Sequence, residues 1–220
     1  MPSVMWFRRD LRLNDHPALN AAIDSAFEDG DKNVVALFNI DPKVFDDAGD
    51  PLKAYQDASL KSLDESLNNN LLIRHGDPKK VIVEVAIAAK AKTVHISEDF
   101  EPYGRKRDIE VEKELAKNGI KLIRTGSPYA VAPFRVTKDD GTPYRVFTPF
   151  YKSWVNHGWR KPAPKFKKEP NWIKPLKNEG RPKVTSEIEI PKAGEKNALD
   201  LFTKFLKSGI RSEEHTSELQ

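Results

Sequence analysis

Two short stretches concentrate the side chains that could do chemistry. In the first, Arg8, Arg9, Asp10 and Arg12 follow directly on the apolar run Val4 to Phe7. In the second, running from Ser97 to Asp108, the carboxylates Asp99 and Glu101 precede Arg105 and Arg107. Opposite charges gathered at one edge of a sheet can grip a polar aromatic ligand. The same residues also admit a purely structural reading, in which Glu101 starts a helix and Asp108 pairs with an arginine. Other chemistries find no support. No glycine occurs between Trp6 and Ala26, so a backbone cradle for a pyrophosphate is missing and a dinucleotide-dependent dehydrogenase is not expected. Gly-x-Ser-x-Gly, Gly-Lys-Ser/Thr and His-Glu-x-x-His are all absent, which removes the hydrolase, P-loop and zincin readings. The chain has no cysteine, so thiolate nucleophiles, disulfides, iron–sulfur clusters and thiolate zinc sites are excluded together. The five histidines, His16, His75, His95, His157 and His215, lack metal-ligand spacing and read as structural or solvated.

Elements must bring the two charged stretches together. Val4 to Phe7 reads as a strand covered on both faces, and its abrupt stop at Arg8 suits the carboxyl end of a parallel strand. Asn14 and Asp15 are candidate helix caps, Pro17 fits a first turn, and Leu19, Ala22, Ile23 and Phe27 recur at helical spacing. Further apolar runs occur at Val34 to Phe38, Leu71 to Ile73, Thr93 to Ile96 and Ile120 to Ile123. Between them, Pro51 to Leu67, Pro78 to Ala89 and Pro102 to Ala116 have helical periodicity. Asp50, Asp77 and Glu101 each stand before a proline, where a helix start accepts negative charge. The alternation predicts an α/β fold over residues 2–126: a five-stranded, parallel, doubly wound, Rossmann-like sheet with helices on both faces.

The character then changes. Ten of the sixteen prolines fall between Pro128 and Pro191, so residues 127–195 read as an irregular connector lying on something else. An aromatic segment at 144–159 interrupts it. From Tyr151 to Lys192 there are eleven Lys and Arg against four Glu, although the whole chain carries a net charge of only +4. Such a tract can hold phosphates, but with so much proline a solvated linker is the preferred reading. Helical spacing returns in 196–210, through Leu199, Phe202, Phe205 and Leu206, with no partner later in the chain. No apolar run reaches the roughly 18 residues of a membrane span, and Arg8 to Asp10 interrupt any signal peptide, so a cytoplasmic monomer is expected.

Trp6-Phe-Arg-Arg-Asp-Leu-Arg-Leu-Asn-Asp-His-Pro-Ala-Leu19 resembles the amino-terminal signature of the DNA photolyase and cryptochrome family. Ser97-Glu-Asp-Phe-Glu-Pro-Tyr-Gly-Arg-Lys-Arg-Asp108 is a second such stretch. Tyr144-Arg-Val-Phe-Thr-Pro-Phe-Tyr-Lys-Ser-Trp154 is a third, similar to the start of the family's interdomain linker, where Phe147, Phe150 and Trp154 are expected to pack. The resemblance covers residues 3–210 and implies the amino-terminal, antenna-binding half of a deoxyribodipyrimidine photolyase. In that family a light-harvesting chromophore passes its excitation to FAD, which drives electron-transfer repair of cyclobutane pyrimidine dimers in UV-damaged DNA. The FAD site belongs to a helical domain beyond this chain, of which 196–210 would be the first helix, so no repair is expected of the chain alone. Arg9, Asp99 and Glu101 are carried over as chromophore contacts, with Asp41 and Lys53 as further candidates. Tyr103-Gly104 stands where folate-binding members have Asn-Glu, which implies a deazaflavin rather than methenyltetrahydrofolate. Leu52-Lys53 departs from the expected Arg-Val pair. A cryptochrome light sensor without repair activity is an alternative; a free nucleotide-binding module is another, less suited for want of a glycine-rich phosphate loop. The final decapeptide 211–220 resembles translated sequencing adaptor, with a natural frayed terminus as the other reading.

Overall fold

The computed structural model describes residues 1–209, so the expected tail at 211–220 lies outside the described residues. Five parallel strands form the sheet: β1 (Ser3–Phe7), β2 (Asn33–Ile40), β3 (Leu71–His75), β4 (Thr93–Ile96) and β5 (Lys121–Arg124). Their order is β3-β2-β1-β4-β5. From β1 the chain steps outward to β3, then returns across the sheet to β4 and continues the other way. The two directions therefore diverge between β1 and β4. Strand pleating divides the core at this sheet. Val4 and Trp6 face one side, packing with α4 (Pro78–Ala88) and α5 (Pro102–Ala116). Met5 and Phe7 face the other, against α1 (Pro17–Glu28) and α3 (Asp50–Ser66). Both faces are dry, which is why the strands are continuous apolar runs rather than alternating ones.

Helix starts differ in detail from the sequence reading. The cap of α1 is His16, whose Nδ1 accepts the Leu19 amide at 3.1 Å, rather than Asn14 or Asp15. A histidine ring reaches the third amide here because Pro17 and the buried Asp10 fix its orientation. Asp77 caps α4 through the Lys79 amide as expected. Asp50 lies inside α3 behind Gly49, and Glu101 precedes α5 without a side-chain cap bond. A short helix, α2 (Pro42–Phe45), follows β2 and is capped by Asp41.

The proline-rich stretch holds α6 (Phe147–His157) and the two-residue β6 (Asn171–Trp172), which pairs with the start of β2 and makes the sheet six-stranded. Residues 160–181 lie along the α/β layer. Arg160 meets Asp15 at 2.5 Å, Lys168 meets Asp24 at 2.6 Å and Arg181 meets Asp57 at 2.6 Å. Asn178 and Glu179 exchange hydrogen bonds with Leu71, Ile73 and His75, covering the open edge of β3 that would otherwise invite pairing with another strand. Four side chains of the basic tract, those of Arg160, Lys168, Lys174 and Arg181, are thus engaged with carboxylates or backbone of the same chain.

The aromatic segment departs from expectation. Phe147 is 73 % exposed; it stacks on Tyr151, as Trp154 does on Trp159, and neither pair joins the core. One turn of α6 brings Phe147 and Tyr151 together without needing a sheet beneath them, and the chain turning back after Gly158 lays Trp159 on Trp154. Last among the described elements are α7 (Glu195–Lys204) and a π-helical turn, Phe205–Gly209. No helix among the described residues is long and apolar enough to cross a membrane.

Candidate functional site

Each strand of the pair β1 and β4 ends where its apolar run gives way to charge, so the loops Arg8–Leu13 and Ser97–Glu101 emerge side by side. In an open α/β sheet this divergence point leaves a crevice outside the strand ends. Its frame is a buried ionic cluster. Arg8 Nη1 donates to both carboxylate oxygens of Asp108 of α5, at 2.6 and 2.7 Å, and Nη2 donates to the Ser97 carbonyl. Burial pushes the Arg8 pKa down, opposed by the Asp108 charge. Arg107 donates to Asp108 from Nε at 3.0 Å and from Nη2 at 2.9 Å. Both guanidinium groups lie over the indole of Trp6, each 5.2 Å from its centroid, and Trp6 is 2 % exposed.

Asp10 ties this frame to α1. Its carboxylate accepts from Ser97 Oγ and, at 3.0 Å, from the Arg8 amide, while His16 Nε2 lies 3.0 Å away. Because His16 Nδ1 accepts the Leu19 amide, the ring proton is assigned to Nε2, facing Asp10. Burial works against ionisation of Asp10, but these donors win and hold its carboxyl well below the usual carboxylate range.

The rim is more open. Arg9 forks onto Glu101 at 2.6 and 2.5 Å, with both side chains about half exposed. The Arg9 hydrogen bonds lower the Glu101 pKa and the same bonds raise that of Arg9. An exposed pair of this kind adds little stability, so its polar atoms are available to a ligand at low cost. Asp99 accepts from the Glu101 amide at 3.1 Å and meets Arg107 at 3.3 Å. It lies flat on the first turn of α5: a Cβ on Gly104 would stand 2.1 Å from Asp99 Oδ2. Across the opening, the Tyr103 hydroxyl donates to Asp41. Burial and that acceptor push the Tyr103 pKa up.

Above the frame lies a cleft of about 880 Å³, walled by Leu52 and Tyr55 of α3 and by Leu199 and Phe202 of α7. The start of α7 is held at two points. Glu195 accepts the Leu13 and Asn14 amides at 2.9 and 3.1 Å, and Gly194 approaches α3 so closely that a Cβ would strike Ser62. Asn39 also lines the cleft; its Nδ2 donates to the Gly76 carbonyl, while its buried Oδ1 has no partner.

Of the residues singled out from sequence, Arg9, Asp41, Asp99 and Glu101 line this one cleft. Lys53 does not; its ammonium turns to the Asp46 carbonyl at 3.0 Å and lies over the Phe45 ring, while its neighbour Leu52 faces the cleft. The structural reading of the second stretch holds in one half only. Asp108 pairs with arginines, but Glu101 reaches across to Arg9 instead of capping α5. Sequence reasoning missed Trp6, which the two-residue strand period places on the same face as Val4, and missed the apolar side of α7 as a wall of the site.

The family model for DNA photolyase matches residues 3–169. The chain belongs to the DNA photolyase family. Among curated relatives, the deoxyribodipyrimidine photo-lyase of Synechococcus sp. is 32 % identical over 158 residues, covering 70 % of this chain and 32 % of the relative. That of Agrobacterium fabrum is 27 % identical over 234 residues, covering 97 % of this chain and 46 % of the relative. The chain thus spans from about a third to just under half the length of these photo-lyases. A solved photolyase from Sulfolobus tokodaii, described with two FAD molecules and as implicating a novel light-harvesting cofactor, superposes with a TM-score of 0.62 at 25 % identity, over 74 % of this chain and 37 % of that one. The cryptochrome of Synechocystis sp. shares the fold at a TM-score of 0.76, with 23 % identity, 99 % of this chain covered and 48 % of that one. The photolyase match takes in both charged loops and all five main strands.

Proposed function

We propose that this chain is the light-harvesting part of a deoxyribodipyrimidine photo-lyase. Its cleft holds a planar antenna chromophore, a deazaflavin in preference to methenyltetrahydrofolate. The chromophore absorbs blue light and passes the excitation to a FAD held outside the described residues, where dimers in UV-damaged DNA are repaired. The observation that carries this reading is the cleft itself, at the divergence point of the sheet, with an unsatisfied acceptor inside it. Asn39 Oδ1 is a buried acceptor without a partner, and an N–H or O–H of a heteroaromatic ring would supply the missing donor. The cleft volume of about 880 Å³ lies within the range that encloses a cofactor-sized ligand. Arg9 and Glu101 on the rim offer a donor and an acceptor, and Leu199 and Phe202 keep water off the ring face. Gly104 supports the deazaflavin choice, because any side chain there would drive Asp99 from its place.

Titration of the purified chain with a hydroxydeazaflavin and with methenyltetrahydrofolate, followed by fluorescence anisotropy, tests the reading. Saturable binding of the deazaflavin, tighter than the folate, is expected; if neither binds, the reading fails. In blue light with added FAD, the chain alone is expected to leave dimers intact, and clear reversal would overturn this division of labour.

A further inference from the structure

Among the side chains lining the cleft, Asn39 is the one whose buried polar atom has no partner among the described residues. It stands in β2 one residue past Phe38, the last rung shared with β1, and two residues past Leu37, the partner of Trp6. The strand period therefore puts its side chain on the same face as the indole, at the mouth of the crevice.

The surroundings fix which way the amide points. Gly76, directly after β3, donates its N–H to the Ile40 carbonyl at 3.0 Å and turns with φ +133°, a conformation that side chains disfavour. A Cβ there would also stand 3.3 Å from Val81 Cγ2. The Gly76 carbonyl is thereby held in place, and it takes Asn39 Nδ2 at 3.0 Å. A carbonyl only accepts, so exchanging the oxygen and nitrogen of the amide would set two acceptors against each other. Oδ1 is the atom left over, on a residue only 7 % exposed. The neighbouring carboxylates are already engaged: Asp41 takes the Lys43 amide and the Tyr103 hydroxyl, and Asp99 takes the Glu101 amide and Arg107. Arg9 and Glu101 at the rim are about half exposed. The cleft thus runs from an open ion pair at its rim to one buried acceptor at depth.

Resting on the chromophore reading above, we infer that Asn39 is a specificity-determining residue of the cleft. Its Oδ1 accepts the ring N–H of the chromophore's pyrimidinedione edge, which enters first, while the side chain of the ring stays at the rim. In a hydroxydeazaflavin that N–H is the sole ring N–H, at the end of the ring system remote from the phenolic hydroxyl. The ligand class is a planar heterocycle with a neutral N–H on its leading edge. A ring alkylated or ionised at that nitrogen brings no donor and leaves the buried acceptor unpaired, which is the kind of mismatch a polar site rejects most strongly.

Fluorescence anisotropy of the full chain, with hydroxydeazaflavin and with its analogue methylated at that nitrogen, reads the contact. The unmethylated ring is expected to bind at least about tenfold more tightly. Asn39→Ala removes the acceptor and opens room for the methyl group, so the preference is expected to fall to about one, with thermal unfolding checking that the variant is folded. In Asn39→Leu, of similar volume and without the acceptor, the methylated ring is expected to bind at least as well as the other. Equal affinity of the unaltered chain for the two rings, a comparison that needs no variant, overturns the role of Asn39 and leaves the cleft reading standing. A preference that persists undiminished in both variants does the same. If neither ring binds the unaltered chain, the cleft reading and this inference fail together.

Discussion

Replacing Gly104 by alanine sets two effects of opposite sign against each other. Gly104 is the third residue of α5, and glycine within a helix costs roughly 0.5–1 kcal/mol relative to alanine, so helix propensity alone predicts that Gly104→Ala stabilises. The structure predicts the reverse. The new Cβ would stand 2.1 Å from Asp99 Oδ2 and 2.2 Å from its Cγ, so the whole carboxylate must swing away rather than shift. It then gives up the Glu101 amide at 3.1 Å and Arg107 at 3.3 Å. Hydrogen bonds involving a charged group are worth about 1.5–3 kcal/mol each. A carboxylate that swings outward regains water and Arg107 keeps Asp108, so the combined loss is about 2–3 kcal/mol at the lower end of that scale. The net expectation is destabilisation by about 1–2 kcal/mol, or a melting temperature lower by roughly 2–8 °C for a chain of this size. Urea unfolding followed by circular dichroism reads it as a lower midpoint at unchanged slope. The decisive comparison is the same substitution in an Asp99→Ala background, where the collision is gone and Gly104→Ala should stabilise by about 0.5–1 kcal/mol. A single variant as stable as the parent, or a sign that does not reverse in that background, refutes the account of the site built on Asp99.

Three further outcomes follow from the same geometry. Asp108→Asn leaves the buried Arg8 guanidinium without its counter-charge and should cost about 3–5 kcal/mol in urea unfolding, whereas a loss below about 1 kcal/mol would mean that the pair does not frame the site. His95 is buried, and burial pushes its pKa down to about 4. The unfolded chain therefore takes up this proton first as pH falls, and stability should drop by about 3 kcal/mol between about pH 6.5 and 4, with no contribution above that window. Subtracting the pH profile of His95→Leu isolates this slope from the carboxylates, and identical profiles for the two proteins would contradict it. Glu195→Ala removes the carboxylate that fastens α7 to the Leu13 and Asn14 amides, and hydrogen exchange of α7 should quicken by roughly tenfold. Unchanged exchange would show that α7 stands over the cleft without that latch.

What the sequence determined by itself was the layer, because its signals are local. Five short apolar runs, each ended by charge or by a turn, can pair as strands in only one sheet class when helical periodicity separates them, and proline behind an acidic residue marks helix starts such as that of α4. The edge carrying the site was equally legible, since Arg9, Asp99 and Glu101 had to emerge wherever β1 and β4 end. What only the tertiary structure decided was which charges meet. Arg8 finds Asp108 across 100 residues, and Glu101 takes Arg9 in preference to the helix start beside it. No periodicity encodes such choices, because they depend on two crossovers placing α5 over β1. The same holds for the proline-rich segment and α7. Their sequences show a basic tract and an apolar helix face without partners, and the partners, Asp15 before α1, Asp24 of α1, Asp57 of α3 and the mouth of the cleft, become neighbours only once the sheet has formed.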